Sequence, residues 1–122
     1  MAASVVALVD NLFFLAKIRE TAKAVGVRVV TGNFRRGSSA IAEAQPQAIF
    51  LDLNSRGLPA VDWIRTLKAD PATRPIRIVG FVSHVQEELI STARAAGCDS
   101  VMARAAFTQE LPNLLRSFVT AS

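Results

Sequence analysis

The sequence predicts an α/β domain with parallel strands and helices on both faces of the sheet. Short apolar runs alternate with longer segments in which apolar residues recur every three or four positions, the spacing of an amphipathic helix. One run, Ala48 to Leu51, places four apolar residues in succession between Pro46 and Asn54. A strand that is apolar on both faces is typical of a parallel sheet covered by helices. Five such runs alternating with five helical segments predict a doubly wound, five-stranded sheet.

The predicted strands are short and mainly aliphatic. The first begins at Ser4 and ends just before Asp10, and the third carries Asp52 at its end. Pro75 introduces the fourth strand and Gly97 precedes the fifth. The predicted bounds are residues 4–9, 27–30, 48–52, 76–82 and 98–103.

Capping residues and helix breakers mark the first two helices. The first runs over residues 11–24 and is closed by Gly26. The second begins at Ser38 or Ser39 and ends at residue 44. The predicted inward residues of the first helix are Leu15, Ile18, Ala22 and Val25.

The next two helices are bounded in the same way. The third covers residues 58–69 and is stopped by Asp70 and Pro71, and the fourth covers residues 85–96 and is ended by Gly97. Their predicted inward residues are Val61, Ile64 and Leu67 on the third helix and Val85, Leu89 and Ala93 on the fourth.

The last helix contains a proline. Pro112 has no backbone N–H, so inside a helix it forfeits a hydrogen bond. We therefore expect the regular helix to begin near Leu111, with Pro112 at its first position. Its apolar stripe consists of Leu111, Leu114, Leu115, Phe118 and Val119.

Composition excludes several classes of protein. Of the 122 residues 51% are hydrophobic, which excludes a disordered chain, and no apolar run approaches the roughly 20 residues of a membrane span. The start of the chain lacks the basic segment of a secretory signal, and the one cysteine, Cys98, cannot form an internal disulfide. We expect one domain over residues 1–122, located in the cytoplasm, with Cys98 as a small core residue.

The basic residues do not favour nucleic-acid binding. The formal net charge is +4, but the cations are spread along the chain. Lys17, Arg19 and Lys23 share one helix, and only Arg35 and Arg36 are adjacent. An ordinary solvated surface accounts for this pattern.

A carboxylate at the end of an apolar strand is the main candidate for chemistry. A charge is costly inside a sheet, so Asp52 should lie at the carboxyl edge, where open α/β sheets have their functional sites. The other polar residues at predicted strand ends are Asp10, Asn11, Asn54, Ser83, His84 and Arg104.

Four motifs, in this order and spacing, resemble the CheY-like receiver domains of two-component response regulators over essentially the whole chain. They are Val-Asp-Asn at 9–11, Phe-Leu-Asp-Leu-Asn at 50–54, Leu-Lys-Ala-Asp-Pro-Ala-Thr-Arg-Pro-Ile at 67–76 and Arg-Ala-Ala-Gly-Cys-Asp at 94–99. The resemblance implies a flavodoxin-like strand order 2-1-3-4-5 and a signalling module, not an enzyme.

The resemblance also implies roles for individual residues. Asp52 matches the aspartate that accepts a phosphoryl group from a histidine kinase. A Mg²⁺ ion is implied at Asp10, Asn11, Asp52 and Asn54, the last through its backbone carbonyl. Asn11 stands where a second acidic residue is usual, which removes one negative charge and predicts weakened Mg²⁺ binding.

The positions that resemble the conformational switch of the family differ further from its usual residues. Counting back from Gly97 puts Val82 at the place of the usual hydroxyl residue, with Ser83 on the other face of the strand. Arg104 replaces the usual lysine and Val101 the common aromatic residue. Together these departures predict a degenerate, pseudo-receiver-like phosphorylation site.

Three functions remain open at this point. The favoured hypothesis is a stand-alone receiver-like module that acts through protein–protein contacts, with phosphorylation at Asp52 weak, uncoupled or lost. The alternative is a functional phospho-receiver that accepts a phosphoryl group on Asp52 from a histidine kinase with Mg²⁺. The third is a flavodoxin-like ligand or nucleic-acid binder.

The expected partners and the structural alternatives follow from the same positions. We expect a histidine kinase or another signalling protein as partner, and a homodimer through the face formed by the fourth helix, fifth strand and fifth helix. A purely structural interpretation has Asp52 held by Arg104 in an ion pair and Asp10 capping the first helix.

Overall fold

Five parallel strands form one sheet in the order β2-β1-β3-β4-β5, as predicted. The structure is a computed structural model that describes residues 3–31, 38–55, 59–84 and 86–120. The strands are β1 (Ser4–Leu8), β2 (Arg28–Val30), β3 (Ala48–Asp52), β4 (Arg77–Val82) and β5 (Ser100–Ala103).

Five helices alternate with these strands. They are α1 (Leu12–Val25), α2 (Ser38–Ala44), α3 (Ala60–Ala69), α4 (Glu87–Ala96) and α5 (Arg104–Thr120). Left-handed glycines end α1 and α4 as predicted, with φ of 81° at Gly26 and 116° at Gly97. The predicted helix starts at residues 58 and 85 lie outside the described residues, as do Arg35 and Arg36. Within the described ranges, no helix is long and apolar enough to cross a membrane.

Two apolar layers cover the two faces of the sheet. The first lies against α1 and α5 and contains a cluster of four aromatic rings, from Phe14, Phe50, Phe81 and Phe107. The second packs against α3 and α4 and includes Ile64, Ala93 and Cys98. Because side chains alternate along a strand, β3 sends Phe50 into the first layer and Leu51 into the second.

The buried face of α1 differs from the predicted one. Phe14, Ile18 and Ala22 are buried, whereas Leu15 is only half-buried. The aromatic cluster accounts for the burial of Phe14, because its ring lies 5.0 Å from that of Phe81. Ile18 and Ala22 are buried as predicted.

The predicted start of the last helix is wrong. The helix begins at Arg104, not near Leu111, so Pro112 lies in its interior. Phe107 explains the early start, because its fully buried ring stacks on Phe81 at 4.7 Å and holds this turn against the sheet. Burial of that ring outweighs the hydrogen bond that Pro112 cannot donate to Thr108.

The strand register decides which polar residues meet at the carboxyl edge. Leu8 pairs with Leu51 and Asp52 pairs with Phe81, so β1, β3 and β4 end side by side. Val82 pairs with Ala103, the residue before Arg104. The chain positions that follow these strands therefore face a common space.

Candidate functional site

An open pocket of about 410 Å³ lies at the carboxyl edge of the sheet. It is formed by the ends of β1, β3 and β4 and by the start of α5. The lining residues are Asp10, Asn11, Asp52, Asn54, Ser55, Ser83 and Arg104. Six of these were predicted from strand ends, and Ser55 was not.

Asp52 is the buried carboxylate of the pocket. Its side chain is only 7% exposed. Its Oδ1 atom accepts a hydrogen bond from the Asn54 N–H at 2.9 Å, and its Oδ2 atom lies 3.7 Å from Nη2 of Arg104. The two oxygens therefore differ: one is held by the main chain, and the other faces a cation across more than a hydrogen-bond distance.

Arg104 supplies the positive charge of the pocket from the first residue of α5. Its guanidinium carbon lies 4.7 Å above the centre of the Phe14 ring, within range of a cation–π interaction. Its buried Nε has no hydrogen-bond partner among the described residues. Aromatic packing and the Asp52 charge thus hold this cation, without a full set of hydrogen bonds. The ion pair expected in the structural interpretation of Asp52 is present.

Val82 and Ser83 lie in different surroundings. Val82 is 1% exposed and packs in the second apolar layer, whereas Ser83 lines the pocket with Asp52. Asp52 pairs with Phe81, and Ser83 is the first residue after β4. The assignment of Val82 to the position of the usual hydroxyl residue stays a prediction.

Asp10 and Asn11 have separate roles at the start of α1. The Asn11 side chain caps the helix, because its Oδ1 accepts the Phe14 N–H at 3.0 Å. The interpretation of Asp10 as this cap is therefore wrong. The Asp10 carboxylate instead accepts a hydrogen bond from the hydroxyl of Ser55.

Asn54 connects the loops that follow β3 and β4. Its Oδ1 accepts the Ser83 N–H at 2.7 Å, and its Nδ2 donates to Oε1 of Gln86. Gln86 was not singled out from the sequence, since it lies 32 residues away and in no motif. Val101, predicted as a switch position, is half-buried on β5 against the second layer.

The oxygen donors of the pocket fit a Mg²⁺ ion. Mg²⁺ prefers oxygen ligands and commonly uses one or two carboxylates with several waters. Here the carboxylates are Asp10 and Asp52, and Asn11 keeps a second lone pair on its capping oxygen. No group of three or more His, Cys, Asp or Glu side chains suited to a metal occurs among the described residues. Arg104 offsets one of the two negative charges.

The fold is that of response-regulator receiver domains. A putative response regulator from Chloroflexus aurantiacus superimposes with a TM-score of 0.82 at 14% identity, covering 98% of this chain and 99% of that chain. The phosphorylated response regulator of a cyanobacterial phytochrome gives 0.75 at 18% identity, covering 100% and 97%. A response regulator in its Mn²⁺-bound form gives 0.71 at 17% identity, covering 96% and 94%. No family model matches the sequence, and neither does any curated protein.

Proposed function

We propose that this protein is a receiver-type signalling module that accepts a phosphoryl group on Asp52 and transmits the change through protein–protein contacts. The observation that carries this function is the convergence of Asp52, Arg104 and Ser83 on one open pocket. Ser83 lines this pocket with Asp52 and supplies a candidate hydroxyl that Val82 lacks. The phosphorylated and Mn²⁺-bound response regulators of the same fold support the same chemistry.

The transfer uses the free oxygen of Asp52. The Oδ2 atom attacks the phosphorus of a phosphohistidine on a histidine kinase, forming an O–P bond while the P–N bond breaks. The electron pair of the broken bond returns to the imidazole nitrogen. Oδ1 stays on the Asn54 N–H, which orients the carboxylate for the attack.

Two side chains of the pocket stabilise the transferred group. The Arg104 guanidinium opposes the charge of the phosphoryl oxygens, and the Ser83 hydroxyl donates a hydrogen bond to one of them. Asp10, Asp52, Asn11 and the Asn54 carbonyl would hold a Mg²⁺ ion, which lowers the repulsion between the carboxylate and the phosphoryl group. With one acidic residue fewer than usual, we expect this ion to be bound weakly.

A second candidate function is contact signalling without phosphorylation. It is favoured by the ion pair between Arg104 and Asp52, which already neutralises the acceptor. Leu12 and Phe13 are 75% and 92% exposed beside the pocket, as in a surface that binds another protein. In either case a histidine kinase or another signalling protein is the partner, and the face of α4, β5 and α5 is the surface that we propose for a homodimer.

Intact mass spectrometry after treatment with acetyl phosphate separates the two candidates. With Mg²⁺, the wild type should gain the mass of one phosphoryl group, and Asp52→Asn should gain none. Asp62→Asn, which alters an exposed aspartate of α3, is the matched control and should be labelled like the wild type. A folded wild type that takes no label at any Mg²⁺ concentration would overturn the phospho-receiver and leave contact signalling.

A further inference from the structure

Asn54 links the candidate phosphorylation site to α4. We propose that Asn54 is a positioning residue that couples the charge on Asp52 to the start of α4 through its side-chain amide. This inference deepens the proposed function and rests on it for its biological meaning. The coupling itself depends only on the three contacts of Asn54.

The first contact is a hydrogen bond whose strength depends on the charge of Asp52. The Asn54 N–H donates to Oδ1 of Asp52 at 2.9 Å, and a carboxylate acceptor makes a hydrogen bond about twice as strong as a neutral one. Esterification of Oδ2 leaves Oδ1 as a neutral carbonyl. The hydrogen bond from the Asn54 N–H to Oδ1 of Asp52 therefore weakens when the negative charge of the carboxylate is lost.

The other two contacts use both ends of the Asn54 amide. The oxygen accepts the Ser83 N–H at 2.7 Å, and the nitrogen donates to Gln86. One short side chain thus spans from the loop after β3 to the loop after β4. A shift of the Asn54 main chain must move or break these bonds.

Gln86 carries the effect into α4. It is the N-cap residue of α4, and its carbonyl accepts the Ile90 N–H at 2.9 Å, but its side chain makes no capping bond. Only Ala93 of α4 is fully buried. Leu89 and Ile90 are partly buried against the second apolar layer. The first turn of α4 thus has no fully buried side chain, and we expect the contact between Asn54 and Gln86 to contribute to its stability.

Amide hydrogen exchange of the α4 first turn tests the coupling. Asn54→Ala and Gln86→Ala should each raise exchange at Ile90 by about fivefold, the effect of losing one ordinary hydrogen bond. The double variant should exchange no faster than Asn54→Ala alone, because Asn54→Ala already removes the bond to Gln86 together with the bond from the Ser83 N–H. Asn113→Ala on α5 is the matched control, and the amide of Val79 in β4 reports global unfolding.

Removing the charge of Asp52 tests whether that charge acts on α4 through Asn54, or whether Asn54 only stabilises α4 independently of Asp52. Asp52→Asn should raise exchange at Ile90 by about two- to fivefold in the wild type and should add nothing in Asn54→Ala. An equal increase in both backgrounds, or unchanged exchange in Asn54→Ala, would overturn the inference. Because Asp52→Asn changes the charge without any phosphoryl donor, this test stays readable even if acetyl phosphate fails to label Asp52.

Discussion

Replacing Arg104 with methionine should lower the free energy of unfolding by about 1–2 kcal/mol. At the observed 3.7 Å and an effective dielectric constant of about 20, the attraction between Arg104 and Asp52 is about 4 kcal/mol. The Arg104 side chain is 31% exposed and the contact is longer than a hydrogen bond, so water screens much of this attraction. Loss of the cation–π contact with Phe14 should lower the free energy of unfolding by a further amount of about 0.5–1 kcal/mol. Methionine also removes the buried Nε, which has no hydrogen-bond partner among the described residues, and this should stabilise the folded state by about 1 kcal/mol.

A double-mutant cycle isolates the ion pair from the other terms. In the Asp52→Asn background, Arg104→Met should lower the free energy of unfolding by about 1 kcal/mol less than in the wild type. The reason is that Asp52→Asn has already removed the buried carboxylate charge that Arg104→Met would otherwise leave without a cation. Urea unfolding followed by circular dichroism measures all four proteins.

An exposed pair of similar length is the control for this cycle. Asp62 and Arg65 lie 3.5 Å apart with side chains 73% and 61% exposed, so Asp62→Asn and Arg65→Met should couple by less than about 0.5 kcal/mol. A coupling between Asp52 and Arg104 within about 0.3 kcal/mol of zero would refute the view that burial makes this pair matter.

Four further substitutions test the scaffold by urea unfolding. Gly97→Ala should lower the free energy of unfolding by about 2–3 kcal/mol and Gly26→Ala by about 1 kcal/mol. Both glycines have positive φ, but only a Cβ at Gly97 would meet another side chain, at 2.8 Å from Lys68 Cγ. Equal losses in the two variants would contradict this reasoning. Pro112→Ala should stabilise the protein by about 1–3 kcal/mol by restoring a helix hydrogen bond, and no gain would show that the helix is distorted there. Burial raises the pKa of the Cys98 thiol above its ordinary value, so the unfolded chain ionises first as pH rises. The free energy of unfolding should therefore fall as the pH rises past the pKa of an ordinary thiol, and it should fall less in Cys98→Ala; identical pH profiles would refute this.

The sheet order and the number of elements could be predicted because they depend on patterns that local sequence displays. Apolar runs preceded by Pro75 or Gly97 define strands, and their alternation with amphipathic segments leaves few topologies. The two errors in the helices came from tertiary packing. Phe14 is buried, and α5 begins before Phe107, because the two rings share one cluster, and no local pattern displays that contact.

The candidate site could be predicted as a set of strand-end residues but not in its details. The surroundings of Ser83 could not be predicted, because they depend on strand pairing and on the loop after β4, which a count of residues from Gly97 does not describe. The bridge from Asn54 to Gln86 joins two loops, and side-chain hydrogen bonds between loops have no sequence period.

The absence of a loop between β5 and α5 has a mechanical consequence. β5 ends at Ala103 and α5 begins at Arg104, so the cation is anchored directly to the sheet on one side and to a long helix on the other. Asn54 and Ser83, which also line the pocket, lie in the loops that follow β3 and β4. A group that enters the pocket therefore meets a positive charge whose main chain is held by regular structure on both sides, whereas the polar groups of Asn54 and Ser83 are held by loops.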